Sequence, residues 1–319
     1  MGNLGFMTLM LAGVLAFYSM FTSVLGARIN SEGLTKSATN ASYLTSLILT
    51  ISTLCLIYAF VTHDFSISYV ANHSSLSLDP KLTWVALYAG NEGSLLFLAW
   101  IFSVLATIAI WKCPTLAKPG LPYTTATLMF ILLFYIVVMS TMANPFEKLS
   151  IPPINGRGMN PLLTHPGMFF HPPMLMTGLI GVGIPFSFGI GQLMSGKQGN
   201  EWLIAARYWG LIIWCILTIG LMLGSWWAYT ILGWGGYWAW DPVENAGLLP
   251  WLPLTAFIHS IIVQQRRNMF KSWNIALIIF AWGFAMYGMF MNRGGPIPSV
   301  HSFGQSTMGW IFLIFLGFN

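Results

Sequence analysis

Six histidines are spread along the chain, at 63, 73, 165, 171, 259 and 301, and their settings allow different chemistry. His171 stands directly before Pro172 and Pro173, where an apolar run begins. Proline is accepted in a first helical turn, so His171 is expected on the N-terminal lip of a helix, anchored by a rigid start. His165, a little earlier, is a similar candidate carried on a loop. His301 lies in the segment NRGGPIPSVHSFGQS, which follows an apolar run ending near Met291. His259 is the one histidine inside an apolar run. An ionisable group at that depth is by default a functional candidate, and neutral imidazole is a good iron ligand; the plainer alternative is a hydrogen bond to a neighbouring helix. His63 and His73 share a loop with Asp64 and Asp79, but their spacing matches no usual zinc pattern, and both are expected to be solvated.

The densest feature is Trp226 to Trp251, WWAYTILGWGGYWAWDPVENAGLLPW. It holds Trp226, Trp227, Trp234, Trp238, Trp240 and Trp251, broken by Gly233, Gly235 and Gly236. Its only charges are Asp241 and Glu244. An interfacial aromatic belt is the bland reading. Six tryptophans and three glycines in one segment suit a flat platform for a large planar apolar ligand better. Asp241 at N-cap, Pro242 at N1 and Glu244 at N3 spell a capping box, opening a helix that carries Asn245 and Trp251. Glu92, between glycines in AGNEGSLLFLAW, suits the first turn of a helix; a carboxylate at a membrane boundary is also costly unless used or paired. Arg293 stands at the base of the His301 segment, where a guanidinium would suit a carboxylate-bearing ligand edge. No Ser/His/Asp set, paired carboxylates, CxxC or phosphate-binding glycine loop is present.

These residues are positioned by membrane helices. The 319 residues are 56% hydrophobic and only 7% charged, against about a quarter charged in soluble domains. Runs long enough to span a bilayer recur at roughly 5–25, 43–61, 93–111, 122–142, 172–194, 208–229, 248–265 and 272–291, with a partial ninth run from about 308. The expected fold is an all-α polytopic membrane protein with about eight transmembrane helices, a partial ninth and a Trp-rich outer loop, organised as a single domain over 1–319. Its outer loops are 62–92, 143–171 and 292–307, and FSISYV within the first is expected to be extended. The first run has no positive n-region and is not a cleavable signal. Nine Lys and Arg fall in one set of alternate loops and four (Lys81, Lys148, Arg157, Arg293) in the other. The positive-inside rule then puts the Trp-rich loop outside, and the net charge of +5 reads as topology, not as a nucleic-acid surface.

Haem satisfies these features together. It is planar and apolar, its propionates would suit Arg293, and its iron takes two axial histidines, for which His171 and His301 are the natural pair. WGGYWAWDPVENAGLLPW also resembles the signature loop of the CcmF/NrfE/CcsA haem-handling family. The resemblance continues in ALYAGNEGSLLFLAW, NPLLTHPGMFFHPPM and PSVHSFGQS, and covers essentially the whole chain. It is to the N-terminal half of the haem lyase subunit CcmF and its relative NrfE; CcsA loops typically continue WDPKET where this chain has WDPVEN.

That resemblance implies a haem b substrate held by His171 and His301 at the outer face. The Trp-rich loop would present its vinyl edge to the CxxCH motif of apocytochrome c. It implies a second, transmembrane haem on His259, whose other ligand comes from the C-terminal half. A fragment or a split-gene subunit is therefore expected. Implied partners are a CcmE-like haem chaperone, apocytochrome c, a CcmH-like thiol-handling subunit and a separate C-terminal half. The implied location is the bacterial cytoplasmic membrane, or the mitochondrial inner membrane. A haem exporter or relay of the CcsA or CcmC kind is the alternative, and a transporter with an aromatic gate would bind no haem.

Overall fold

The computed structural model describes residues 1–196, 199–303 and 306–318. Gly304 and Gln305 of the His301 motif, Lys197 of the basic loops and Asn319 lie outside the described residues. Among those described, eight helices are long and apolar enough to cross a membrane, matching the eight runs in the sequence, and every named element is helical. The helices group into two compact units, 1–108 with 128–169, and 109–127 with 170–319.

The first unit opens with an antiparallel pair, α1 (Gly2–Arg28) and α2 (Glu32–Val61). Lipid tails are as apolar as leucine, so membrane helices associate by close packing of small residues and by a few hydrogen bonds. The buried face of α1 is accordingly small: Gly5, Ala12, Gly13, Ala16, Ser19 and Ser23. Ser52 Oγ on α2 donates to the Gly5 carbonyl at 2.9 Å, and Ser19 Oγ donates to the Ala38 carbonyl at 2.7 Å. The large side chains Met7, Val14, Phe17 and Phe21 face outward. Ser31 caps α2.

A cap follows, built from α3 (Ser68–His73) and α4 (Thr83–Leu87), ahead of α5 (Asn91–Trp111) and α6 (Leu121–Thr141). The extended segment expected over FSISYV is only half formed. Ile67 makes a single antiparallel bridge with Lys148, and Phe65, Ile67 and Tyr69 alternate inward. The chain then turns helical at Ser68 because Tyr69, Val70 and Ala71 are all buried, which a strand could not achieve. His73 is not a solvated loop histidine either. Its Nδ1 donates to the Tyr69 carbonyl at 3.0 Å and its ring packs 4.3 Å from the Tyr69 ring.

The second unit holds the rest of the site-bearing chain: α7 (His171–Gly181), α8 (Gly183–Met194), α9 (Leu203–Ile231), α10 (Pro242–Leu248), α11 (Trp251–Arg267), α12 (Lys271–Asn292) and α13 (Met308–Phe318). The run expected as one span over 172–194 is two helices meeting at Val182, and the span expected from 248 begins at Trp251, behind the short α10. Prolines explain both breaks: Pro185 and Pro250 lack an N–H and cannot continue an existing ladder.

Helices α9 and α11 are joined by a reciprocal clasp. Trp214 Nε1 donates to Thr255 Oγ1, and Trp251 Nε1 to Thr218 Oγ1, each at 2.8 Å, while the two indoles stack at 5.9 Å. Such interhelical hydrogen bonds are worth about 0.6 kcal/mol each on average. Trp251 therefore belongs to the helix packing and not to an aromatic platform.

Burial holds the His73 imidazole below its ordinary pKa, outweighing the backbone bond to Tyr69 and the charge of Glu92, which act the other way. Because the folded value lies below the unfolded one, the stability this group contributes is present above about pH 6.5 and is lost as pH falls. Hydrogen exchange over residues 68–90, corrected for intrinsic rate, is expected to be faster at pH 5 than at pH 7.5, and His73→Gln to flatten that difference.

Candidate functional site

His171 is the first residue of α7, as its prolines required, and it faces α9. Its Nδ1 lies 2.8 Å from the Gly220 carbonyl oxygen. A carbonyl can only accept, so Nδ1 carries the proton and Nε2 keeps its lone pair. Glycines make this approach possible. A Cβ on Gly220 would stand 2.6 Å from Leu175 N, and one on Gly224 would stand 2.5 Å from His171 Cε1. Lower down, a Cβ on Gly178 would stand 2.7 Å from Leu217 Cα. The two backbones are thus in near contact at Leu175 and Gly178.

His301 is held by Asp241, at the other end of the Trp-rich loop. The capping box read from DPVE is formed. Asp241 Oδ2 accepts from Val243 N at 2.9 Å and Glu244 N at 3.3 Å, and also from Ser299 Oγ at 2.6 Å and His301 Nδ1 at 3.0 Å. Ser299 Oγ in turn accepts from His301 N at 3.0 Å. In the neutral ring, Nδ1 donating its proton to the carboxylate leaves the lone pair on Nε2. Both side chains are largely enclosed, 16% exposed for His301 and 9% for Asp241.

The two imidazoles share Trp227. Its indole is parallel to His171 within 13° at 6.5 Å, and stands edge-on to His301 at 5.5 Å. Trp227 is 4% exposed, and its Nε1 is buried with no hydrogen-bond partner among the described residues. Trp234 lies edge-on to His301 at 5.9 Å.

The other tryptophans do not extend this into one flat platform. Trp226 is exposed, and Trp238 and Trp240 meet at 89°. Gly233 and Gly235 take left-handed backbone angles, which turn the loop instead of flattening it. Trp240 is left-handed as well, with φ of 59°, a conformation costing about 1–3 kcal/mol for a bulky residue. Glu244 offsets that cost: its Oε2 accepts from the backbone N–H groups of Ala239 and Asp241, at 3.1 and 3.4 Å, on either side of Trp240. The indole of Trp240 is left 77% exposed.

The remaining candidates fall elsewhere. Asn245 Nδ2 donates to the Asp241 carbonyl and builds the start of α10. Arg293 is buried, not set at an open edge; its guanidinium lies over the rings of Phe303 and Phe312 at 5.1 and 5.9 Å, the stacking that a weakly hydrated cation favours. Glu92 belongs to the first unit, in the first turn of α5. His259 is exposed on α11, with Nδ1 donating to the Thr255 carbonyl one turn back. Sequence reasoning missed Ser299, Gly220 and Gly224. A serine two residues before a histidine, and glycines four apart on an apolar helix, were the available signals.

The chain was compared with known proteins. The family model described as cytochrome C assembly protein matches residues 88–295. The cytochrome c-type biogenesis protein ccl1 of Rhodobacter capsulatus is 38% identical over 98% of this chain and 48% of its own length. CcmF of Pseudomonas aeruginosa is 37% identical over 98% and 48%, and NrfE of Haemophilus influenzae 35% identical over 98% and 49%. A solved structure of a cytochrome c heme lyase CcmF superposes with a TM-score of 0.84 at 33% identity, covering 99% of this chain and 49% of that one. The chain spans about half the length of the curated relatives it matches.

Gly224→Ala tests the seating of His171. In an open helix the change would be favourable by about 1 kcal/mol. Here it is expected to displace the ring from the Gly220 carbonyl, seen as loss of the Nδ1–H resonance in ¹⁵N-histidine-labelled protein. A retained resonance would show that the ring has room.

Proposed function

The chain belongs to the cytochrome c assembly protein family, and from that membership we propose that it binds haem between His171 and His301 and presents it for covalent attachment to apocytochrome c. The observation that carries this reading is the pair of imidazoles around Trp227, each with Nδ1 committed to a backbone carbonyl or a carboxylate and Nε2 left as a donor. Among the described residues no group of three or more His, Cys, Asp or Glu side chains could hold a bare ion. Two protein ligands suit an iron that already has four ring nitrogens. The buried Trp227 N–H offers a donor to an acceptor group on the same ligand, since a buried donor left unpaired costs about 1–3 kcal/mol.

Haem supplies the iron that takes axial imidazoles and the vinyl groups that accept thiols. This chain supplies position. A helix start holds His171, a carboxylate holds His301, and the buried Trp227 packs against both rings. Trp227, parallel to His171, would support that ligand. Trp234, Trp238 and the exposed Trp240, in the loop over 233–241, would flank the vinyl edge. Holding a vinyl and a thiol in attack geometry can supply much of the barrier reduction.

The transferred group is haem b, and the loop faces outward from the bacterial cytoplasmic membrane. A haem chaperone delivers the haem, a thiol-handling subunit prepares the CxxCH motif, and a C-terminal half completes a second haem on His259. The exposed position of His259 suits a ligand shared with another polypeptide segment.

The test is the oxidised and reduced absorption spectrum of the purified chain with added haem, for wild type, His171→Ala, His301→Ala and His259→Ala. A Soret band is expected in wild type, lost or shifted to a one-histidine spectrum in the first two variants and unchanged in the third. A colourless wild type under all conditions would overturn the haem reading.

A further inference from the structure

The two candidate ligands are not equivalent, because their Nδ1 protons go to different acceptors. His171 donates to a neutral carbonyl, at Gly220, and His301 donates to a carboxylate, at Asp241. A carboxylate partner draws the Nδ1 proton, raises electron density on Nε2 and makes the imidazole a stronger donor, the usual effect of an outer carboxylate on a metal-ligating histidine. The capping box alone does not require this. Two backbone N–H groups and the Glu244 return bond already complete the helix start, yet Asp241 Oδ2 takes two further donors from a segment 58 and 60 residues on. Ser299 then fixes the His301 backbone from the same point, so ring orientation and tautomer are set together.

We propose that Asp241 is a positioning residue that makes His301 the stronger of the two axial ligands, leaving His171 as the weaker, more exchangeable one. The inference rests on the functional reading above. In this arrangement the firm bond belongs to the segment tied to the Trp-rich loop. The labile bond belongs to α7, whose histidine is seated by glycine packing, the Trp227 ring and one neutral carbonyl.

Asp241→Asn separates charge from shape. Asparagine is as good an N-cap as aspartate, and its amide oxygen can still accept from Nδ1. With haem bound to the full chain, Asp241→Asn is expected to raise the haem reduction potential, because a less electron-rich His301 stabilises the ferric state less. Haem affinity is expected to fall by about 10–100-fold. Ser299→Ala removes a competing donor from the same oxygen and is expected to move the potential down. His301→Gly is expected to lose more haem affinity than His171→Gly. In the ligand-free chain, the ¹⁵N spectrum of His301 is expected to show Nδ1 protonated and strongly hydrogen-bonded, weakening in Asp241→Asn.

If Asp241→Asn does not fold, the sign of the Ser299→Ala shift and the order of the two glycine variants decide the matter. An unchanged potential in Asp241→Asn, or a larger affinity loss in His171→Gly, would overturn this inference while leaving the haem site standing. Absence of haem binding by wild type would overturn both.

Discussion

The close approach of α7 to α9 is the constraint on which the second unit depends. In a bilayer the backbone polar groups are satisfied largely within each helix, so the helices meet mainly through side chains, and the tightest contact goes to the smallest of them. Gly178, Gly220 and Gly224 let the two backbones meet. That contact brings the Gly220 carbonyl within reach of His171 Nδ1, although the same oxygen already lies in a helical ladder. It also sets Trp227, one turn above, parallel to the imidazole. A site residue at a helix start usually depends on its own cap; here the position is set by the neighbouring helix.

The second anchor works differently. Asp241 sits where a loop becomes a helix, and a carboxylate there is favoured by the free N–H groups and the helix dipole. Those interactions hold it in place without help from His301. The histidine segment can therefore be drawn to a fixed acceptor, and the order it gains is borrowed from α10. Glu244 performs the matching task on the other side, holding the left-handed Trp240 against its strain. One short helix start thus orders both the loop before it and a segment far along the chain.

Much of this was legible in the sequence, and the parts that were not share a cause. Span number followed from length and hydropathy alone, since bilayer thickness admits few alternatives. His171 at a helix lip and the Asp241–Glu244 box followed from local rules linking Pro, Asp and Glu to the first turn. What depended on tertiary neighbours was not legible: the perpendicular setting of Trp238 and Trp240, the burial of Arg293, the backbone bond of His73 and the interhelical bond of Trp251. Each belongs to an amphipathic side chain whose polar tip can be paired inside the protein, so sequence position does not reveal whether it faces water, lipid or a partner. The indoles of Trp214 and Trp251 show the point, each finding a threonine on the opposite helix.

Under the proposed function the protein would have to hold a planar ligand and then release it, and the two anchors would divide those opposing demands. A site made of two equally strong ligands would bind tightly and let go slowly, because most differences in affinity among related sites appear as differences in the rate of leaving. A site made of two weak ligands would release readily but leave the reacting edge poorly aimed, and misplacement by about 1 Å can cost a hundredfold in rate. Pairing a carboxylate-backed histidine with one seated on a neutral carbonyl meets both demands. In the proposed site the first would keep register with the aromatic loop, while the second could give way without disturbing that register. The asymmetry needs no moving part, only the difference between two hydrogen-bond acceptors.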